Sequence, residues 1–154
     1  MCKSIAEKQG SDGLAMPYWL ELSAIQDPFG TLCYGQVDSP LPFKVQRFFY
    51  IYGIPDGALR GGHAHRETHE AVFCIRGNCV IRVYSRDGKS RCFTLNIPNR
   101  GVYLPPMWWV VLEEFTSDPI ILALASNPYS EKDYLRDPDD FFNEKPYPFS
   151  KSDR

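Results

Sequence analysis

The sequence predicts an all-β domain, a barrel or sandwich of short strands. Two observations lead there: aromatic and β-branched residues recur in short runs, and Gly, Pro, Asn and Asp separate those runs at close spacing. In order the runs are Tyr18–Leu22, Thr31–Gln36, Phe43–Tyr52, Gly62–Arg66, Glu70–Arg76, Asn78–Tyr84, Arg91–Asn96, Gly101–Leu104, Trp108–Glu113 and Ile120–Ser126. Arg86-Asp87-Gly88-Lys89 is a hairpin signal, because Asp-Gly readily adopts the positive φ angles of a tight primed turn. Gly77-Asn78 marks a second sharp bend. From Ser130 the texture changes, and a serine ahead of Glu131-Lys132-Asp133-Tyr134-Leu135 predicts one short helix packed on the barrel and stopped by Pro138.

A chain of 154 residues fits one domain able to bury a core without disulfide or metal staples. That domain is expected over 16–144. The segment 1–15 and the tail 145–154 are polar or proline-broken and are expected to be poorly ordered. A formal net charge of −2 leaves no broad basic field for nucleic acid. A small anionic ligand stays possible, since a few placed arginines can hold a diphosphate. No apolar run, Ile120–Ala125 included, approaches the roughly 20 residues that span a bilayer, and Met1–Gly10 does not read as a signal-peptide core. A cytoplasmic protein is expected. Cys2, Cys33, Cys74, Cys79 and Cys92 form no CxxC pair and mostly lie in strand-like runs, as reduced core thiols would.

The informative stretch runs from Gly57 through Arg60-Gly61-Gly62-His63-Ala64-His65 to Glu70 and Gly77. Two histidines at i and i+2 on a strand project from one face, so both rings can meet one ligand. The spacing G-x5-HxH-x4-E-x6-G resembles the first motif of the cupins. That resemblance implies a double-stranded β-helix, or jelly-roll, barrel with a short C-terminal helix. In many cupins the two histidines and the glutamate bind a metal together with a further histidine from a second motif. The corresponding region, Gly101 to Leu112, contains no histidine, and His69 has the wrong strand parity to join Glu70. A site without metal or other cofactor is the expectation, with a metal-dependent cupin using His63, His65 and Glu70 as the alternative.

A narrower resemblance follows from Phe43–Tyr52, Arg60–His65, Gly101-Val102-Tyr103, Trp109, Leu124-Ala125-Ser126 and Asp133-Tyr134-Leu135-Arg136. In order and spacing these are similar to the WxcM-like family of dTDP-sugar 3,4-ketoisomerases, over about Ile25 to Phe142. The family implies a homodimer in which strands can be exchanged between subunits. It implies dTDP-4-keto-6-deoxy-D-glucose as substrate and a 3-keto-6-deoxyhexose as product, on the route to dideoxyamino sugars of surface glycans or secondary metabolites. One departure stands out. After the matching tryptophan several relatives carry a polar or ionisable residue, where this chain has Val110-Val111.

Moving a carbonyl from C4 to C3 passes through an enediol and needs a group with pKa near neutrality in both directions, which suits histidine. One of His63 and His65 is expected to move the carbon-bound proton and the other to shuttle protons between oxygens; residue order does not say which. Arg60, Tyr50 and Tyr103 are candidates for stabilising enolate charge or gripping the ligand, and Arg47 for the diphosphate. Arg47 and Tyr50 have opposite parity, so a regular strand aims only one of them inward. Trp109 is a candidate for stacking on thymine and Glu70 for orienting a histidine. A pocket that binds the sugar nucleotide without turnover is the remaining alternative.

Overall fold

A computed structural model describes residues 15–149. The strands are β1 (Tyr18–Glu21), β2 (Ser23–Asp27), β3 (Gly30–Tyr34), β4 (Gln36–Val37), β5 (Pro40–Leu41), β6 (Arg47–Ile51), β7 (Arg60–His65), β8 (Glu70–Tyr84), β9 (Ser90–Leu95), β10 (Arg100–Leu104), β11 (Trp109–Ala125) and β12 (Tyr134–Leu135). They are followed by the single turn of helix α1 (Pro138–Phe141). The long strands β8 and β11 pair antiparallel from Tyr84↔Trp109 to Glu70↔Ala125, with register shifts midway. Both bend there. Gly77 has φ +72°, and a Cβ on it would sit 2.5 Å from the Thr116 carbonyl oxygen, so only glycine allows the two backbones so close. On β11, Glu114, Ser117 and Asp118 also take positive φ.

The bend lets each long strand serve two layers. One layer is β1, β10, the first half of β8, the second half of β11, and β6. The other is β9, the second half of β8, the first half of β11, β7 and β12. Between them lies the main core, with Val72, Ile81, Val83, Val102, Val110, Leu112 and Ile121. Alternation along each strand puts its other residues outside. Outside the second layer, Trp109, Tyr84 and Val111 pack under Phe141 and Phe142; outside the first, Leu20, Leu41 and Phe43 cover Phe73 and Tyr103. This two-layer barrel is the expected cupin architecture.

The side to which the histidine strand turns is set by two glycines. Val110 pairs with His63 but Val111 pairs with Gly61, which leaves Gly62 as an extra residue on β7. Gly61 and Gly62 both have positive φ. The bulge reverses the parity of the strand, so His63 shares the inner face with Val110 whereas Gly61 opposes outward-facing Val111.

Several local expectations need correction. The runs Glu70–Arg76 and Asn78–Tyr84 are one bent strand, as are Trp108–Glu113 and Ile120–Ser126, because the barrel carries pairing through the bends. Strand β2 was not among the predicted runs; it exists by pairing with β3. The helix expected at Ser130 is a 3-10 turn over Glu131–Asp133 with no hydrogen bond from a serine cap, and Tyr134-Leu135 continue as β12 because they pair with β7. Pro138 begins α1 instead of ending a helix: its fixed φ and missing N–H suit the first turn, and Asp137 caps it by accepting from the Asp139 N–H. Cys33 and Cys92 are exposed, and only Cys74 and Cys79 are core thiols; Cys2 lies outside the described residues. Of the segments expected to be poorly ordered, 1–14 and 150–154 lie outside the described residues, whereas Tyr147 and Phe149 pack on the cluster around Trp109.

The glycine pair makes a prediction. Gly61→Ala would drive a Cβ to 2.5 Å from the Val110 carbonyl oxygen, whereas a Cβ at Gly62 meets nothing within 4 Å. Gly62→Ala is expected to cost about 1–2 kcal/mol, the strain of a left-handed non-glycine residue. Gly61→Ala should cost clearly more, and urea unfolding of the two variants measures the difference.

Candidate active site

The inner ends of β6, β7 and β8 converge on one polar cluster in an otherwise apolar interior. His63 and His65 project from the same face of β7, their rings 5.2 Å apart and at 82° to each other. Glu70 opens β8, and its Oε1 lies 3.3 Å from His65 Nε2. Arg47 opens β6, with a terminal nitrogen 3.9 Å from the same Oε1 and its guanidinium 5.7 Å from the Phe49 and Tyr129 ring centres. Strand β12 adds Tyr134, whose ring is 4.4 Å from His65 and 5.0 Å from His63. Asp133 reaches His65 from behind, with Nδ1–H donating to Oδ2 at 2.8 Å.

Four buried polar atoms in this cluster have no hydrogen-bond partner: Arg47 Nε, His63 Nδ1, His65 Nε2 and Glu70 Oε1. The His65–Glu70 contact is close enough for attraction between charges but lacks the direction of a hydrogen bond. Orphaned buried groups are costly and rare, and four together mark a place built to receive a polar ligand.

The two imidazoles are pushed in opposite directions. Burial lowers the pKa of His63, and the charge on His65 lowers it further, with Glu70 opposing in part. Val110, paired with His63 on the inner face, supplies apolar surroundings where a polar side chain would have relieved that burial. For His65 burial also acts downward, but Glu70 and Asp133 outweigh it and the pKa is raised. His63 is thus biased to the neutral base and His65 to the imidazolium.

The other candidates distribute unevenly. Arg47 and Glu70 join the histidines, and Arg60 sits exposed at the outer end of β7, opposite Leu112. As parity required, Tyr50 faces away from Arg47; it is exposed and stacks on Tyr52 with ring centres 6.0 Å apart. Tyr103 also faces outward and hydrogen-bonds His69 Nδ1 at 2.6 Å, beside Tyr18 and Phe43. Burial raises its hydroxyl to about 12. Trp109 is sealed on the outer face against Phe141, Phe142 and Phe149. Tyr50, Tyr103 and Trp109 are therefore not brought to the histidine pair within one chain. Among the described residues no group of three or more His, Cys, Asp or Glu side chains is arranged to hold a metal ion.

Asp133, Thr68 and Tyr134 were not among the residues singled out from sequence. Asp133 and Tyr134 lay within a motif of the family resemblance but carried no role, since nothing local links them to a strand more than sixty residues earlier.

Comparison with known proteins identifies the family of the chain. A 3,4-oxoisomerase from Aneurinibacillus thermoaerophilus named for TDP-4-oxo-6-deoxy-α-D-glucose is 33% identical over 123 residues, covering 79% of this chain and 87% of that protein. The crystal structure of QdtA, a sugar 3,4-ketoisomerase from Thermoanaerobacterium thermosaccharolyticum in complex with TDP, superposes with a TM-score of 0.77 at 31% identity, covering 82% of this chain and 92% of that one. A histidine-to-asparagine variant of QdtA in complex with TDP-4-keto-6-deoxyglucose matches with a TM-score of 0.77 at 30% identity, covering 82% of this chain and 91% of that one. Residues 16–146 match the family described as FdtA: WxcM-like, C-terminal, and with these relatives the match shows that this chain belongs to that family.

Proposed function

We propose that this protein is a dTDP-sugar 3,4-ketoisomerase that converts dTDP-4-keto-6-deoxy-D-glucose to a dTDP-3-keto-6-deoxyhexose in dideoxyamino-sugar biosynthesis, without a cofactor. The observation that carries the reading is the cluster of four unpartnered buried polar atoms around two imidazoles biased to opposite protonation states. A keto-hydroxyl shift needs such a pair: a neutral base for the carbon-bound proton and an acid for the carbonyl oxygen.

The steps balance as follows. Neutral His63 removes the C3 proton while the His65 imidazolium protonates the C4 oxygen, giving the enediol. Now neutral, His65 takes the proton from the C3 hydroxyl as the C3 carbonyl forms. The protonated His63, whose ring N–H exchanges with solvent at this stage, delivers a proton to C4. Arg47 and Glu70 border the cluster, and Arg47 is the charge available to the diphosphate or to the enolate oxygens. The face on which His63 lies relative to the bound sugar sets the gluco or galacto outcome at C4.

In D2O, NMR of the substrate incubated with the enzyme should show a new 3-keto sugar carrying deuterium at C4. His63→Asn and His65→Asn should each lower kcat by about 10²–10⁴-fold, the usual contribution of a general acid or base, and His69→Ala should leave it within a few-fold. A binding domain without activity would show no exchange at high protein concentration, and a metal enzyme would lose turnover on chelation. The pH profile of kcat/KM should be a bell. The acid limb lies below the ordinary histidine value of 6.5 because His63 must be neutral, and the alkaline limb lies above it because His65 must be protonated.

We place the enzyme in the cytoplasm as a homodimer. Among the described residues no helix is long and apolar enough to cross a membrane. The β2–β3 hairpin is exposed along its whole length, with Ile25, Phe29 and Leu32 bare, and the outer row Phe48, Tyr50 and Tyr52 of β6 and its continuation is likewise uncovered. A second copy exchanging its hairpin would bury both surfaces. Sedimentation equilibrium should give twice the 17.7 kDa chain mass; a monomer at micromolar concentration would overturn this assignment.

A further inference from the structure

The 3-10 turn that follows the barrel contributes a carboxylate with an unusually complete set of donors. Asp133 Oδ1 accepts the Glu67 backbone N–H at 2.7 Å, and Oδ2 accepts both the Thr68 hydroxyl at 2.5 Å and His65 Nδ1–H at 2.8 Å. Thr68 is buried, and the Arg66 backbone N–H donates to the Asp133 carbonyl oxygen at 2.8 Å, so the loop after β7 and the turn are tied at several points. With both carboxylate oxygens already accepting, the imidazole must present N–H on its Nδ1 side. Its exchangeable proton is then confined to Nε2, the atom that faces Glu70 and has no hydrogen-bond partner.

We propose that Asp133, held by Thr68 and the Glu67 N–H, is a positioning residue that fixes the tautomer and orientation of His65, so that Nε2 alone exchanges protons with the sugar oxygens. The inference rests on the ketoisomerase reading for its catalytic consequence, but the tautomer it assigns belongs to the free protein. Charge cooperates with geometry. Burial alone would raise the Asp133 carboxyl, yet its three donors hold it below the usual carboxylate value and keep it ionised. The other groups facing His65 are Glu70 on β8, His63 on β7 and Tyr134 on β12, with Arg47 beside Glu70 and the Arg136 guanidinium 4.2 Å from the centre of the Tyr134 ring.

An amide at position 133 cannot accept from all three donors. In Asp133→Asn the NH2 group must face the Glu67 N–H or turn toward His65 and Thr68, and the latter arrangement moves the imidazole proton to Nε2. Full-length protein with 15N-labelled histidine, titrated by NMR without substrate, reads this directly. In the wild type His65 should keep Nδ1 protonated on both sides of its transition. In Asp133→Asn the Nε2–H tautomer should appear and the midpoint should fall by ~1 unit or more, as expected on removing an opposite charge in contact. With the dTDP-4-keto sugar, kcat should drop on the order of 10²-fold with KM within about 3-fold, and the alkaline limb should move to lower pH.

Thr68→Val, nearly isosteric, keeps the carboxylate but removes one donor and should lower kcat about 10-fold, while Thr68→Ser should stay within about 2-fold. An unchanged His65 tautomer and midpoint in Asp133→Asn overturns the proposal whatever the activity. If that variant does not fold, Thr68→Val behaving as Thr68→Ser overturns it instead. A wild-type protein with no turnover would remove the isomerase reading and leave the NMR result to decide Asp133 alone.

Discussion

Everything in this barrel hangs on the pairing of β8 with β11. Two strands this long cannot stay flat while one face of each remains buried, because strand twist carries side chains out of register with a single core. The bend at Gly77, matched on β11 between Glu113 and Ile120, resolves the conflict by turning each strand into a second layer. The interior that results holds Val72 and Ile121 on one side of the bend and Ile81, Val83 and Leu112 on the other. It also fixes where Glu70, the first residue of β8, opens into the barrel beside β6 and β7.

The candidate site borders the same core. An imidazole among apolar side chains stays neutral, and Val110 opposite His63 provides that condition on one strand of the pair. Two residues further along β7, burial again works against the charge, but the contacts are carboxylates, and Glu70 and Asp133 raise the His65 pKa above its ordinary value. The proposed proton relay needs both conditions at once, and of the Val110-Val111 pair only Val110 faces the histidines, since Val111 turns outward under Phe141 and Phe142.

The aromatic residues divide by face. Phe49 turns inward beside Arg47 and the main core, whereas Phe48, Tyr50 and Tyr52 turn outward and stand uncovered. Trp109 turns outward too, but the C-terminal segment with Phe141, Phe142 and Phe149 closes over it. The barrel therefore has one outer face sealed by its own chain and another left bare together with the β2–β3 hairpin. Large bare apolar surface is uncommon on a protein that acts alone, which is why subunit pairing is part of the functional proposal.

The order of residues was enough to settle the all-β class, the place of the Asp-Gly hairpin, the HxH pair facing one way and the exclusion of Arg47 and Tyr50 from a shared face, because these rest on local turn signals and on alternation with period two; the tight primed turn expected there is instead a five-residue loop, Ser85 to Lys89, in which Gly88 and not Asp87 takes positive φ. Bends and caps were less visible. Strand runs broken by Gly77 or by Glu114–Asp118 read as separate elements until a partner strand joins them, and Pro138 reads as a stop until Asp137 is seen to cap the turn it opens. The opposite pKa shifts of His63 and His65 could not be seen at all. They depend on a parity change made by Gly62, on a valine more than forty residues away, and on Asp133, whose carboxylate reaches His65 only because Tyr134-Leu135 pair with the edge of β7. Local pattern determines which way a side chain leaves its own strand; what it meets there, and hence its charge, is decided by elements that only the closed barrel brings together.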